Sequence, residues 1–233
     1  MVHHELHTPG SGVKLNWLRA SVLGANDGIV SVAAIVVGIA GASESLGYII
    51  TAGVAGLTAG ALSMAVGEYV SVSSQRDTER ALLAKERHEL ATVPGLELAE
   101  LATIYESKGL SKATAQTVAA ELTAHDAFAA HAEAELHINP NELTNPWHAA
   151  YASAAAFLAG AIIPLIAVAL PPESVRIPVT FAAVILALVI TGTLSAYIGG
   201  ANKMRATMRV VIGGALAMAI TFGIGKAFGV VGV

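Results

Sequence analysis

Five stretches of this chain stay apolar for as long as a helix needs to cross a bilayer. Leu46 to Gly67, Ala149 to Leu170 and Ile177 to Ala201 contain no charged residue, Val210 to Val233 carries only Lys226, and Ala20 to Ser43 only Asp27. A spanning helix takes about 17 to 25 predominantly apolar residues, so the pattern predicts five transmembrane helices. Asn26-Asp27-Gly28 would suit a tight turn in a soluble protein. Inside the first apolar run a turn would leave backbone groups unpaired in lipid, so the segment is read as helix.

Between the second and third runs lies a polar segment of about 70 residues, Ser74 to Pro146, with twelve of the seventeen acidic residues. Ala, Leu, Glu and Lys dominate it and β-branched runs are missing, which predicts helix throughout. Pro94-Gly95 breaks a first helix from a second that begins near Leu96 and ends at Gly109. Ser111 caps a third, which runs or breaks near His125 and continues to about His137, before Asn139-Pro140-Asn141 returns the chain to the membrane. The second span has no stop signal: MAVGEYVSVSSQRDTERALLAKERHEL passes from apolar to charged without Pro, so its helix continues as the first helix of the insert. The expected fold is an all-α membrane protein, with five transmembrane helices and an acidic helical domain inserted between the second and third. Its parts are a His-containing tail over 1–15, spans one and two in 16–74, the acidic domain in 75–146, and spans three to five in 147–233.

Composition agrees. Hydrophobic residues make up 55% of the chain and charged ones 13%, against roughly a quarter in a soluble domain. Cysteine is absent, which excludes disulfides and thiolate metal sites and leaves Met or His as the soft ligands. The net charge of −4 does not point to nucleic acid as a partner. The first ~12 residues are polar and His-rich, unlike a cleaved targeting segment. Lys14 and Arg19, the group from Arg76 to Lys112, and Lys203, Arg205 and Arg209 fall on one side if five spans alternate; only Arg176 and Lys226 lie elsewhere. The positive-inside rule makes that side the cytoplasm and sends the C-terminus out.

Asp27 is the first candidate for chemistry. An ionisable residue at bilayer depth usually faces a bundle interior or a water path and marks a substrate or proton route; the plainer alternative is a neutral Asp hydrogen-bonded to a neighbouring helix. Met64 and Glu68 are four apart on the second span and share a face. A carboxylate with a thioether suits Fe²⁺ or Mn²⁺ better than Mg²⁺ or Ca²⁺, although Met64 alone is more often packing and Glu68 equally reads as a solvated helix exit. In the insert, Glu86 with Glu89 and Glu97 with Glu100 form two E-x-x-E pairs on either side of the Pro94-Gly95 break, and His131 with Glu135 offers two further ligands. Spacing leaves open whether these acids hold metal or form a solvated face. His88, His125, His3, His4 and His7 are weaker candidates. One Asp and one Met per chain cannot complete the shell of a divalent ion, so a symmetric dimer is expected; Gly53, Gly56, Gly60 and Gly67 would permit the close helix approach it needs, and could equally serve packing within one chain.

LRASVLGANDGIVSVAAIVVGIAGA, AGALSMAVGEYVSVSSQRDTERALLAKERHEL and FLAGAIIPL together resemble the vacuolar iron transporter family, in particular its bacterial members, over nearly the whole chain. The resemblance implies a dimeric exporter of Fe²⁺, and often Mn²⁺, that works in exchange for protons, in a plasma membrane for a bacterial member. It implies Asp27 and Met64 as intramembrane ligands at the dimer interface, and Glu86, Glu89, Glu97, Glu100 and Glu135 as carboxylates of a cytoplasmic metal-binding domain. Where plant members place Met in the later helix, this chain has His131 and Ala132, so the thioether is replaced by imidazole. Fe²⁺ or Mn²⁺ is then cargo, with no fixed cofactor, and no enzymatic activity is expected. A di-iron oxidase would need Glu-x-x-His pairs, and no Glu here has His three residues later. Two alternatives remain: a membrane-anchored metal buffer or sensor, which has no use for a carboxylate at the depth of Asp27, and a proton-coupled transporter of some other cation, which a flux measurement distinguishes.

Overall fold

A computed structural model describes the backbone of residues 11–231 and the side chains of residues 21–229. The His-rich stretch with His3, His4 and His7 lies outside the described residues. Among the described residues seven helices follow in order: α1 Ser11–Ala42, α2 Leu46–Thr92, α3 Pro94–Ser107, α4 Lys112–Ala134, α5 Pro146–Ala169, α6 Glu173–Ile198 and α7 Lys203–Val231. Five of them, α1, α2, α5, α6 and α7, are long and apolar enough to cross a membrane, and no strand occurs among the described residues. This is a multi-pass membrane protein. Helix α1 begins at Ser11, so part of the segment read as tail is already helical.

Two compact units make up the chain, one from the segments up to Tyr69 and from Trp147 onward, the other from Val70–Pro146. In the first, α1 is the central helix. Its residues Ile29, Val32, Ala33, Val36 and Val37 are fully buried and share a core with Ile49, Phe157, Val168, Val184, Leu188 and Met218. Helices meet here backbone to backbone. A Cβ on Gly28 of α1 would run into the Phe157 carbonyl of α5, and one on Gly160 of α5 would run into the Ala25 carbonyl. Such contacts are how bundles pack where lipid supplies no hydrophobic drive between helices. Glycines of α2 take part as well: Gly53 faces Val36 and Leu165, Gly56 faces Ile35, and Gly60 faces the Phe157 ring. Gly67 has nothing near it, and with Ala55, Ala59 and Ser63 it forms an exposed ridge of small residues four apart along α2.

Helix α2 has 47 residues, about 70 Å at 1.5 Å per residue, against a hydrocarbon core of about 30 Å. Its apolar first half, Leu46 to Gly67, is long enough for the span, and its charged second half, from Val70, belongs to the second unit. There Val93 caps α3, with Pro94 at a first-turn position where the missing N–H costs nothing. Lys108 closes α3, Gly109 follows with positive φ, and the Ser111 hydroxyl accepts from the Thr114 N–H at 3.3 Å to start α4. Helix α4 is bent at Asp126, whose φ of −160° and ψ of 94° are extended rather than helical. The Asp126 carboxylate accepts from the Ala129 N–H at 2.9 Å and so caps the second half of α4. Leu101, Ala119 and Ala134 form the small core of this unit.

Candidate metal sites

Three helices of the second unit converge on one point. The outer half of α2 supplies Glu86, α3 supplies Glu97, and the segment after the Asp126 bend supplies His131 and Glu135. His131 Nδ1 lies 3.0 Å from Glu86 Oε1, 3.7 Å from Glu97 Oε2 and 3.6 Å from Glu135 Oε2. Glu86 is 2% exposed, Glu97 5% and His131 0%, and one ligand atom from each lies within 4.8 Å of the others. Residues this polar are almost never so buried unless paired.

Proximity alone does not satisfy them. Glu86 Oε1, Glu135 Oε2 and both ring nitrogens of His131 are buried with no hydrogen-bond partner. One ring nitrogen of His131 and one oxygen each from Glu86 and Glu97 are close enough together to share a cation. Burial pushes the Glu86 carboxyl above its ordinary range, with the Glu135 charge adding to it; Glu97 is raised first by burial and then by Glu100. Both therefore resist holding negative charge unless a cation joins them. Imidazole nitrogen with carboxylate oxygen suits Fe²⁺ and Mn²⁺.

The second member of each E-x-x-E pair has another setting. Glu89 is ion-paired with Lys85 at 3.0 Å, and Glu100, His88 and His125 are exposed. Two supports were not singled out in the sequence. One is the Asp126 cap; the other is the Arg87 guanidinium, 4.2 Å over the Phe128 ring, which ties the segment carrying His131 to α2. The Asp before a resumed helical pattern was the available signal for the cap; nothing in the sequence pairs Arg87 with Phe128.

Within the apolar unit, Asp27 lies on the exposed face of α1 and accepts a hydrogen bond from the Ser31 hydroxyl at 2.8 Å. Met64 is half-buried and packs on the core; Glu68 is half-buried one turn further on. The Phe157 ring sits under Gly60 of α2 and its backbone under Gly28 of α1, which places the Asp27 turn and the Met64 turn at a similar level. Next to Asp27, Asn26 turns to another side of α1, where Thr191 of α6 donates to its Oδ1 at 2.6 Å.

Comparison with known proteins matches residues 18–226 to the model of the VIT family. The chain is 48% identical over 210 residues to the "Vacuolar iron transporter" of Acanthamoeba castellanii, covering 90% of this chain and 77% of that protein. It is 40% identical over 217 residues to "Vacuolar iron transporter homolog 4" of Arabidopsis thaliana, covering 93% and 86%. Against "Vacuolar iron transporter homolog 1" of Oryza sativa it is 38% identical over 232 residues, covering 97% and 82%. With a family match over nearly its whole length and relatives this similar, the chain belongs to the VIT family.

Proposed function

We propose that this protein is a dimeric transporter that moves Fe²⁺, with Mn²⁺ as a second cargo, out of the cytoplasm in exchange for protons. Its relatives are named iron transporters, and the buried Glu86, Glu97, His131 and Glu135 offer such ions a nitrogen and oxygen shell on the side that the basic residues mark as cytoplasmic. In this reading the insert between spans two and three is a cytoplasmic metal-binding domain, and Glu89 and Glu100 widen its capture surface. The relatives are named for a vacuole; for this chain we place the protein in the plasma membrane, with the C-terminus outside.

Asp27 carries the transport reading. It is an exposed carboxylate within a helix long and apolar enough to cross the membrane. Such a group needs a polar path or a partner. In this reading a second copy packs on the exposed α2 ridge of Ala55, Ala59, Ser63 and Gly67 and brings a second Asp27 and Met64 to the site. A metal buffer gains nothing from this arrangement. Carboxylates that hold a divalent ion must be deprotonated, so ions and protons compete for Asp27 and exchange needs no separate proton route. In this reading Glu68, one turn beyond Met64 on α2, is a further carboxylate of the path for ions or protons. The chemistry is binding and release, and no enzymatic step is involved.

Purified protein in proteoliposomes tests this reading. Fe²⁺ entry should accelerate when the lumen is acidic relative to the bath at fixed bath pH. Entry that ignores the gradient would remove the proton exchange, and no entry above protein-free liposomes would remove transport.

A further inference from the structure

Asp27 and its two neighbouring polar groups do not share one setting. Successive residues of a helix are about 100° apart, so Asn26 and Asp27 leave α1 in different directions. Asn26 points to α6 and accepts from Thr191 at 2.6 Å, a part-buried contact between residues 165 positions apart. Asp27 points outward and is held by Ser31.

Both contacts are unusual for their residue types. A Ser or Thr inside a helix commonly returns its hydroxyl proton to the carbonyl four residues back, as Thr58, Thr180 and Thr221 do here. Ser31 has one proton to give, and it goes to the Asp27 side chain. Thr191 lies only 3.4 Å from the Leu188 carbonyl, yet its shorter contact is to Asn26. Glycine contacts on either side let α1 approach its neighbours closely: Gly28 meets Phe157 of α5, and Gly38 meets Thr221 of α7. Close backbone contacts fix a distance, whereas a directional hydrogen bond fixes rotation about the helix axis. A rotation of α1 would swing the Asp27 carboxylate sideways and also break the bond from Thr191.

We propose that Asn26, through Thr191, and Ser31, through Asp27, are the positioning residues that set the direction and rotamer of the Asp27 carboxylate, and thereby the affinity of the intramembrane ion site. This rests on the reading of Asp27 as an ion ligand. Neither Asn26 nor Ser31 is required to touch the ion. The tie to α6 also means that the Asp27 site follows movements of α6.

The test compares Mn²⁺ entry into proteoliposomes, as a function of Mn²⁺ concentration, for the full chain and for Thr191→Val, Thr191→Ser, Ser31→Ala and Asp27→Ala. Thr191→Val keeps the shape and removes the hydroxyl; Thr191→Ser keeps the hydroxyl. Thr191→Val should raise half-saturating Mn²⁺ by roughly three- to tenfold, the range expected for a hydrogen bond between membrane helices, and Ser31→Ala, which removes a bond within α1, should raise it in the same direction. Maximal rate should change less, and Thr191→Ser should restore the parent value. A general packing defect would instead lower maximal rate and would not be rescued by the hydroxyl alone. Ser31→Ala, a small change on the outward face, carries the test if Thr191→Val does not reconstitute. Unchanged half-saturation in Thr191→Val and Ser31→Ala beside an inactive Asp27→Ala overturns the positioning role and leaves the transport reading standing. A fully active Asp27→Ala overturns the reading of Asp27, and the positioning role with it.

Discussion

Glu86→Gln should move the protein's stability in opposite directions with and without metal. The ligand atoms of Glu86 and Glu97 lie within 4.8 Å of each other, and two ionised carboxylates at that distance repel by about 3.5 kcal/mol at an effective dielectric of 20. Burial already pushes both carboxyls up, so protonation relieves part of this, and the amide should gain about 1–2 kcal/mol without metal. For a chain of this size that is a rise in thermal midpoint of about 2–8 °C. With metal the sign reverses. Orienting partners of metal ligands are worth about 10–100-fold in affinity, so loss of a direct ligand should cost on the order of 100-fold. At a metal concentration 100 times the parent dissociation constant, stabilisation by about 2.7 kcal/mol would then shrink to about 0.4 kcal/mol. Thermal melts of the full chain in mild detergent, followed by circular dichroism with chelator or with Mn²⁺, read both numbers. A lower midpoint in chelator together with a parent-like response to Mn²⁺ would mean that Glu86 is held by protein contacts rather than poised for a cation.

Metal-free stability should fall as pH rises. Glu86 and Glu97 have folded pKa values above their unfolded ones, so the folded state binds more protons in that interval; their contribution is present below about pH 4.5 and is lost as pH rises through the folded values. Saturating Mn²⁺ should flatten this dependence in the same melts, and a metal-free midpoint that climbs over the interval would contradict it. The absence of cysteine makes interface mapping simple. Ser63→Cys or Ala59→Cys, on the open ridge of α2, should form disulfide-linked dimers in membranes under mild oxidant, whereas Gly53→Cys, enclosed against Val36 and Leu165, should not. Equal crosslinking from all three would remove the ridge as the dimer contact.

The five spans were legible because length and absence of charge suffice to recognise a helix built for lipid. The break at Pro94 and the Ser111 cap were equally legible, since both act within one turn of the residue concerned. The E-x-x-E pairs show where local pattern stops. Glu86 and Glu89, three residues apart, differ by about 60° around the helix, and the packing of α3 and α4 decides that Glu86 is enclosed while Glu89 stays at the surface with Lys85. Spacing made the four acids equivalent, and tertiary contact separates them. The glycines of α2 behave the same way. Gly53, Gly56 and Gly60 serve packing within one chain, and the surface left open is the offset ridge that ends at Gly67. The Asn26–Thr191 bond joins positions 165 apart, and no pattern local to either residue announces it.

The central claim is that ions pass through the bilayer at Asp27 after being collected by the acidic domain. Radioactive Mn²⁺ entry into proteoliposomes, measured side by side for the parent chain, Asp27→Ala and the combined Glu86→Ala, Glu89→Ala, Glu97→Ala and Glu100→Ala variant, tests it most directly. Asp27→Ala should show no entry above protein-free liposomes even at saturating Mn²⁺. The fourfold variant should need about ten times more Mn²⁺ for half-maximal entry, on the scale of lost ligand support, while still transporting at high concentration. Parent-like entry in Asp27→Ala, or a fourfold variant indistinguishable from the parent at limiting Mn²⁺, would contradict the account.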